Sequence, residues 1–99
     1  MGVLNKLPEY EADLLDIWLY IAEDSPTNAD RYLSRIEETV NKIADSPGMG
    51  RSAEHVRPGF RMFPIDNYLF FYQEIKGGIE AVSIVSGFRD LEHLFSKEK

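Results

Sequence analysis

The chain reads as an α+β protein of order β-α-α-β-β-β, a helical hairpin packed on a small antiparallel sheet. Three observations predict this. Apolar residues recur at helical spacing from about residue 9 to 46. A break follows, Ser46-Pro47-Gly48-Met49-Gly50, that no helix can cross. Beyond it the pattern changes to aromatic and β-branched runs separated by tight-turn residues. The 99 residues, 43% apolar and 28% charged, suit one domain with one core. Within that domain, 1–99, the hairpin covers about 9–46, the sheet about 57–90 and a C-terminal tail 91–99.

Residues 3–7 form a weak short strand. Pro8 suits a helical first turn, and Glu9, Glu11 and Asp13 favour the positive end of the helix dipole. Tyr10, Leu14, Ile17, Trp18 and Ile21 share one face of this first helix, and Ala12, Leu15, Leu19 and Ala22 an adjoining one. The combined apolar arc of about 220° is far wider than the stripe of an ordinary surface helix, so this helix must touch two things. Asp24-Ser25-Pro26-Thr27 stops it and starts a second. There Ala29, Tyr32, Leu33, Ile36, Val40, Ile43 and Ala44 make a narrower stripe, with Asp30, Arg31, Glu38 and Asn41 pointing away. Residues 60–65 are β-rich, Asp66-Asn67 is a turn, and 68–75 is an aromatic strand of a buried sheet. Lys76-Gly77-Gly78 turns the chain into a partner strand over 79–86, and Gly87-Phe88-Arg89-Asp90 closes the sheet. The remaining tail is at best amphipathic.

Charge and composition exclude several functions. The net charge of −6 argues against holding nucleic acid by bulk electrostatics. Residues 9–46 carry ten acids against Arg31, Arg35 and Lys42, whereas 47–99 carry seven of each sign, with Arg51, Arg57 and Arg61 facing only Glu54 locally. With no cysteine there is no disulfide, thiolate nucleophile or zinc-thiolate centre, which fits the cytoplasm. No apolar run approaches a membrane span, and residues 1–20 lack the pattern of a secretory leader.

Catalytic constellations are equally scarce. His55 and His93 have no metal-ligand spacing, and no P-loop, dinucleotide or nucleophile-elbow motif is present, so no metal and no cofactor is implied. Gly48-Met49-Gly50 follows a helix instead of opening one and reads as a helix stop. Asp13 and Asp16 share a helix face but have no apolar surround to raise either pKa, and read as solvated. Arg57, Arg61 and Arg89 are more informative. If the strand ends at 60–63 and 86–89 converge, these arginines bind phosphate or an acidic protein surface; alternatively they pair with Asp66, Glu74 or Asp90.

The run Ala12-Asp13-Leu14-x-x-Ile17-Trp18-x-Tyr20-Ile21-Ala22-Glu23-Asp24-Ser25-Pro26 resembles the first-helix signature of the ParE branch of the RelE/ParE toxin superfamily. So do Ser46-Pro47-x-Met49-Gly50-Arg51, Arg57-x-Gly59-Phe60-Arg61, Asn67-Tyr68-Leu69-x-Phe71-Tyr72 and Ser86-Gly87-x-Arg89-Asp90-Leu91. The ordered set spans about residues 7–95. The resemblance implies the β-α-α-β-β-β fold and the toxin of a type II toxin–antitoxin module. It implies neutralisation by a ParD-like antitoxin with a ribbon-helix-helix DNA-binding domain, DNA being reached only through that antitoxin. It further implies inhibition of DNA gyrase, and so of replication, by protein binding.

RelE-type relatives instead cut mRNA on the ribosome, using lysines and arginines on the sheet and a tyrosine near the C-terminus. By motif, Arg61 and Arg89 match two of those positions, but the others fall on Phe63, Leu69 and Phe95. Phenylalanine and leucine neither transfer protons nor stabilise a phosphorane. The sequence therefore predicts no enzyme, with a ribosome-dependent endoribonuclease or an inactive antitoxin-binding module as alternatives. Arg57, Arg61 and Arg89 are the expected target contacts. Leu15, Leu19 and Leu33 are the expected antitoxin contacts, because any of them left uncovered forms a groove for an amphipathic segment. On this reading Trp18→Ala unfolds the protein, whereas Leu19→Glu mainly weakens antitoxin binding.

Overall fold

A computed structural model describes residues 2–87. Strand β1 (Val3–Lys6) leads into helix α1 (Pro8–Ala22), and a short turn leads into helix α2 (Pro26–Asp45). After a 3-10 turn (Pro47–Met49) come β2 (Arg51–Ser52), β3 (Phe60–Ile65), β4 (Tyr68–Ile75) and β5 (Gly78–Ser86). The strands form one sheet in the order β1-β5-β4-β3-β2.

Helix starts follow the local chemistry. Both helices open with proline, whose fixed φ and missing N–H suit the first turn. Ser25 caps α2, its side chain accepting from the Asn28 N–H at 3.2 Å. At α1 the residue before the helix is Leu7, which offers no cap and instead packs its side chain beneath the sheet.

The two turn signals are where the sequence places them. Asp66-Asn67 joins β3 to β4 with Asp66 at φ 54°, and Lys76-Gly77 joins β4 to β5 with Gly77 at φ 83°. One feature departs from the expected antiparallel sheet. β1 pairs parallel with β5, from Val3 opposite Gly78 to Lys6 opposite Ala81, so the sheet is mixed. The hairpin of helices between β1 and the later strands is a crossover long enough to permit parallel pairing. The two-residue β2 was not predicted, since two residues carry no periodicity.

Each sheet face buries its own apolar layer. Under the helices lie Tyr10, Ile36, Ile43, Phe70, Tyr72 and Ile79 with their neighbours. The other face gathers Ala53, Phe60, Met62, Phe71 and Val82. A register shift between Phe71 and Tyr72 sets Phe71 opposite Ser83 and Tyr72 opposite Ala81, leaving Val82 as the extra residue of a bulge. The bulge adds Val82 to the second layer while Ala81 and Ile84 stay in the first. The closing segment read at 88–90 and the tail 91–99 lie outside the described residues.

Candidate functional site

Helix α1 buries Tyr10, Leu14 and Ile17 and turns its other apolar face to solvent. Leu15 is 57% exposed and Leu19 51%, one turn apart on the same side of the helix. Glu11, Asp16 and Glu23 are exposed around them. Leu33 differs from this pair, because it is half-buried and packs against the main core from α2. Trp18 is half-buried too, and its Nε1 donates to Asp30 Oδ1 at 2.8 Å, tying α1 to α2. The wide apolar arc is thus divided between the core, the helix–helix seam and an uncovered pair of leucines.

Asp13 is not simply solvated. Its Oδ2 accepts from the Ile84 N–H at 3.0 Å, along the stretch of β5 that extends past its β1 partners. Asp13, Asp16, Ile17, Tyr20 and Tyr68 line an open cleft of about 530 Å³ between α1 and β5.

The arginines are arranged differently from the expected convergence. Arg61 lies opposite Tyr72, which lies opposite Ala81, whereas Ser86 lies opposite Tyr68 at the other end of the sheet. The register therefore separates Arg61 from the strand end at 86. Arg61 and Arg57 also point to different faces. Arg61 projects on the helix side, where its Nη1 donates to Gly50 O at 2.7 Å and its Nε lies 3.8 Å from Glu74. Arg57 sits over the Phe60 ring, 5.8 Å from its centroid, beside the second layer. Arg89 and Phe95 lie outside the described residues.

Arg61 belongs to a knot the sequence did not reveal. The buried Tyr72 hydroxyl donates to Pro47 O at 2.7 Å and accepts from the Gly50 N–H at 2.8 Å. With Arg61 on Gly50 O, two side chains of the sheet hold the Ser-Pro-x-Met-Gly turn in place. Burial raises the Tyr72 pKa, with Glu74 adding to the shift, although the Gly50 bond and Arg61 oppose it. The tyrosine closing the Asn-Tyr-Leu-x-Phe-Tyr run carries this signal only when its position opposite Arg61 is known.

Phe63 packs with the layer under the helices and Leu69 with the layer on the far face, so the two do not meet at one site. No group of metal-binding side chains is present among the described residues, and none of their helices is long and apolar enough to cross a membrane.

A helical hairpin with two exposed leucines in an acidic surround, backed by a mixed sheet, defines a small α+β module. The family model described as ParE toxin of type II toxin-antitoxin system, parDE, matches residues 6–91. Toxin ParE1 of Caulobacter vibrioides is 34% identical over 64 residues, covering 64% of this chain and 67% of that one. Toxin ParE1 of Mycobacterium tuberculosis (strain CDC 1551 / Oshkosh) is 25% identical over 87 residues, covering 86% and 89%. Among solved structures, the chromosomal ParDE TA system from P. aeruginosa shares the fold with a TM-score of 0.72 at 23% identity, covering 87% of this chain and 96% of that chain. The chain belongs to the ParE toxin family of type II toxin–antitoxin systems, and membership implies an antitoxin partner.

Proposed function

We propose that this toxin is neutralised by direct binding of a ParD-like, ribbon-helix-helix antitoxin, and that it inhibits DNA gyrase by protein contact in the cytoplasm, without catalysis. The observation that carries the antitoxin half is the exposed Leu15–Leu19 pair in its acidic surround on α1. An amphipathic segment laid along α1 covers both leucines, and basic residues beside its apolar anchors meet Glu11, Asp16 and Glu23. Leu33, half-buried against the core, offers an antitoxin less surface than the leucine pair.

The gyrase half rests on family membership, and the non-catalytic half on the side chains of Phe63 and Leu69, which neither transfer protons nor stabilise phosphate. Arg57 and Arg89 remain the proposed target contacts. Arg61 joins them, and both it and Arg57 are engaged within the chain, Arg61 by Gly50 and Glu74 and Arg57 over the Phe60 ring, so each reaches a target by exchanging those contacts.

The test is a gyrase supercoiling and cleavage assay run beside a ribosome-dependent mRNA cleavage assay, both with the purified chain. Trapped cleaved DNA with intact mRNA is expected. Cut mRNA overturns the non-catalytic reading, and silence in both removes gyrase as the target while leaving the antitoxin proposal to its own test.

A further inference from the structure

The hairpin's three cations, Arg31, Arg35 and Lys42, are not scattered among its ten acids. At 100° per residue they fall within an arc of about 40° on α2. Two of the helix's acids turn to another flank, where Asp30 accepts from Trp18 of α1 and Glu37 pairs with Lys6 of β1, while Glu38 lies at the edge of the basic arc. The basic flank instead overhangs the β3–β4 turn. Arg35 and Lys42 there border a cavity of about 280 Å³ that Tyr32, Phe63 and Pro64 line with apolar surface.

These cations are available. Arg31 and Lys42 are exposed and form no ion pair among the described residues. Arg35 lies over the Tyr32 ring at 5.7 Å and 3.6 Å from Asp66, but the two paired side chains are 68% and 48% exposed, a pairing that a competing carboxylate can exchange. Arg61, by contrast, is held by Gly50 and Glu74.

We propose that this flank of α2 docks an extended acidic peptide segment of a partner protein, with one aromatic or large apolar side chain seated in the cavity against Tyr32 and Phe63. Arg31 to Lys42 spans about 16 Å along the helix, the reach of roughly five extended residues. A peptide can set its carboxylates opposite the cations and leave Glu38 and Asp66, the acids on the cavity rim, facing neutral residues. A nucleic acid cannot, because its evenly spaced phosphates meet those acids as well. The surface lies on the side of α2 away from α1, so it does not overlap the Leu15–Leu19 stripe, and the two surfaces select partners of opposite charge.

The experiment titrates the full, isotope-labelled chain with a five-residue peptide, Asp-Ser-Phe-Ser-Asp, whose neutral residues can face Glu38 and Asp66, at low salt, following backbone amide shifts. A twelve-nucleotide single-stranded DNA serves as comparison probe. Saturable shifts confined to α2 and the β3–β4 turn are expected. Affinity should fall about tenfold in an Arg35→Glu/Lys42→Glu variant whose melting temperature is unchanged, and rise in Asp66→Asn, a residue that keeps the left-handed turn. The proposal is overturned by unsaturable shifts, by shifts elsewhere, by equal affinity in the charge-reversed chain, or by tighter binding of the oligonucleotide.

Discussion

Two buried tyrosines show how differently one hydroxyl can act. The Tyr10 hydroxyl is buried in the main layer and has no hydrogen-bond partner, and burial, with Glu37 and Glu11 adding, holds its pKa well above the usual tyrosine value. Removing an unpaired buried donor relieves a desolvation penalty, so Tyr10→Phe should be neutral or stabilise by up to ~2 kcal/mol in urea unfolding at pH 7. Tyr72→Phe has the opposite sign, because it strips the partners of both Pro47 O and Gly50 N; a loss of about 1–3 kcal/mol is expected in the same measurement. Alkaline pH tests a third tyrosine. Burial and a hydrogen bond to Asp66 push the Tyr32 pKa up to about 12, while an unfolded tyrosine ionises near 10. The unfolded chain loses this proton first, so the contribution is complete below pH 10 and disappears as pH rises towards 12. Urea midpoints should fall across that window, and Tyr32→Phe should make the fall shallower; an unchanged slope would mean Tyr32 is as solvated folded as unfolded. Arg61 shows the limit of reading residues singly. Its motif marked it as important, but whether a guanidinium faces a target or a carbonyl depends on the Gly50 turn folding over it, which only the register of β3 on β4 decides.

At the scale of elements, α1 carries the clearest forecast. Leu19→Glu and Leu15→Glu alter exposed positions and should leave the melting temperature close to wild type, within about 0.5 kcal/mol, while cutting affinity for a co-purified antitoxin at least tenfold. Equal affinity in both variants would move the antitoxin contact off this face. Trp18→Ala deserves a milder expectation than unfolding. The indole is half-buried and bonded to Asp30, so its loss should cost about 2–3 kcal/mol, read from the denaturation midpoint, and leave a folded chain. Both helices, both tight turns and the three long strands were legible because each has a local cause: proline at the first turn, Ser25 as cap, positive φ at Asp66 and Gly77. The two-residue β2, the bulge at Val82 and the Asp13 bond to Ile84 were not, since each depends on what lies across a strand edge.

The whole molecule depends on a pairing that no local pattern announces. β1 and β5 are joined in parallel although Val3 and Gly78 lie at opposite ends of the described chain, with the entire helical hairpin between them. Closing so long an intervening chain carries an entropic cost, which the pairing of β5 with β4 on its other edge helps to offset in the folded sheet. Alternation could suggest that residues 3–7 are a strand, but not which neighbour they choose or in which direction. The choice has a signature in Gly78. A Cβ there would run into the backbone of Val3, so the parallel strand can approach only because the residue opposite it is glycine. Gly77, next to it, needs glycine for its φ of 83° and has only the Val3 side chain nearby. The two substitutions should therefore separate. Gly77→Ala strains the turn and should cost about 1 kcal/mol, with β1 still docked. Gly78→Ala must push β1 off β5, exposing Leu4 and freeing the Val3 N–H from Gly77 O, at a cost of ~2 kcal/mol or more. Amide hydrogen exchange distinguishes them: Val3 and Leu7 should lose protection in Gly78→Ala and keep it in Gly77→Ala. Retained protection in both variants would mean that β1 tolerates a shifted register, and that the first strand is not locked by the glycine opposite it.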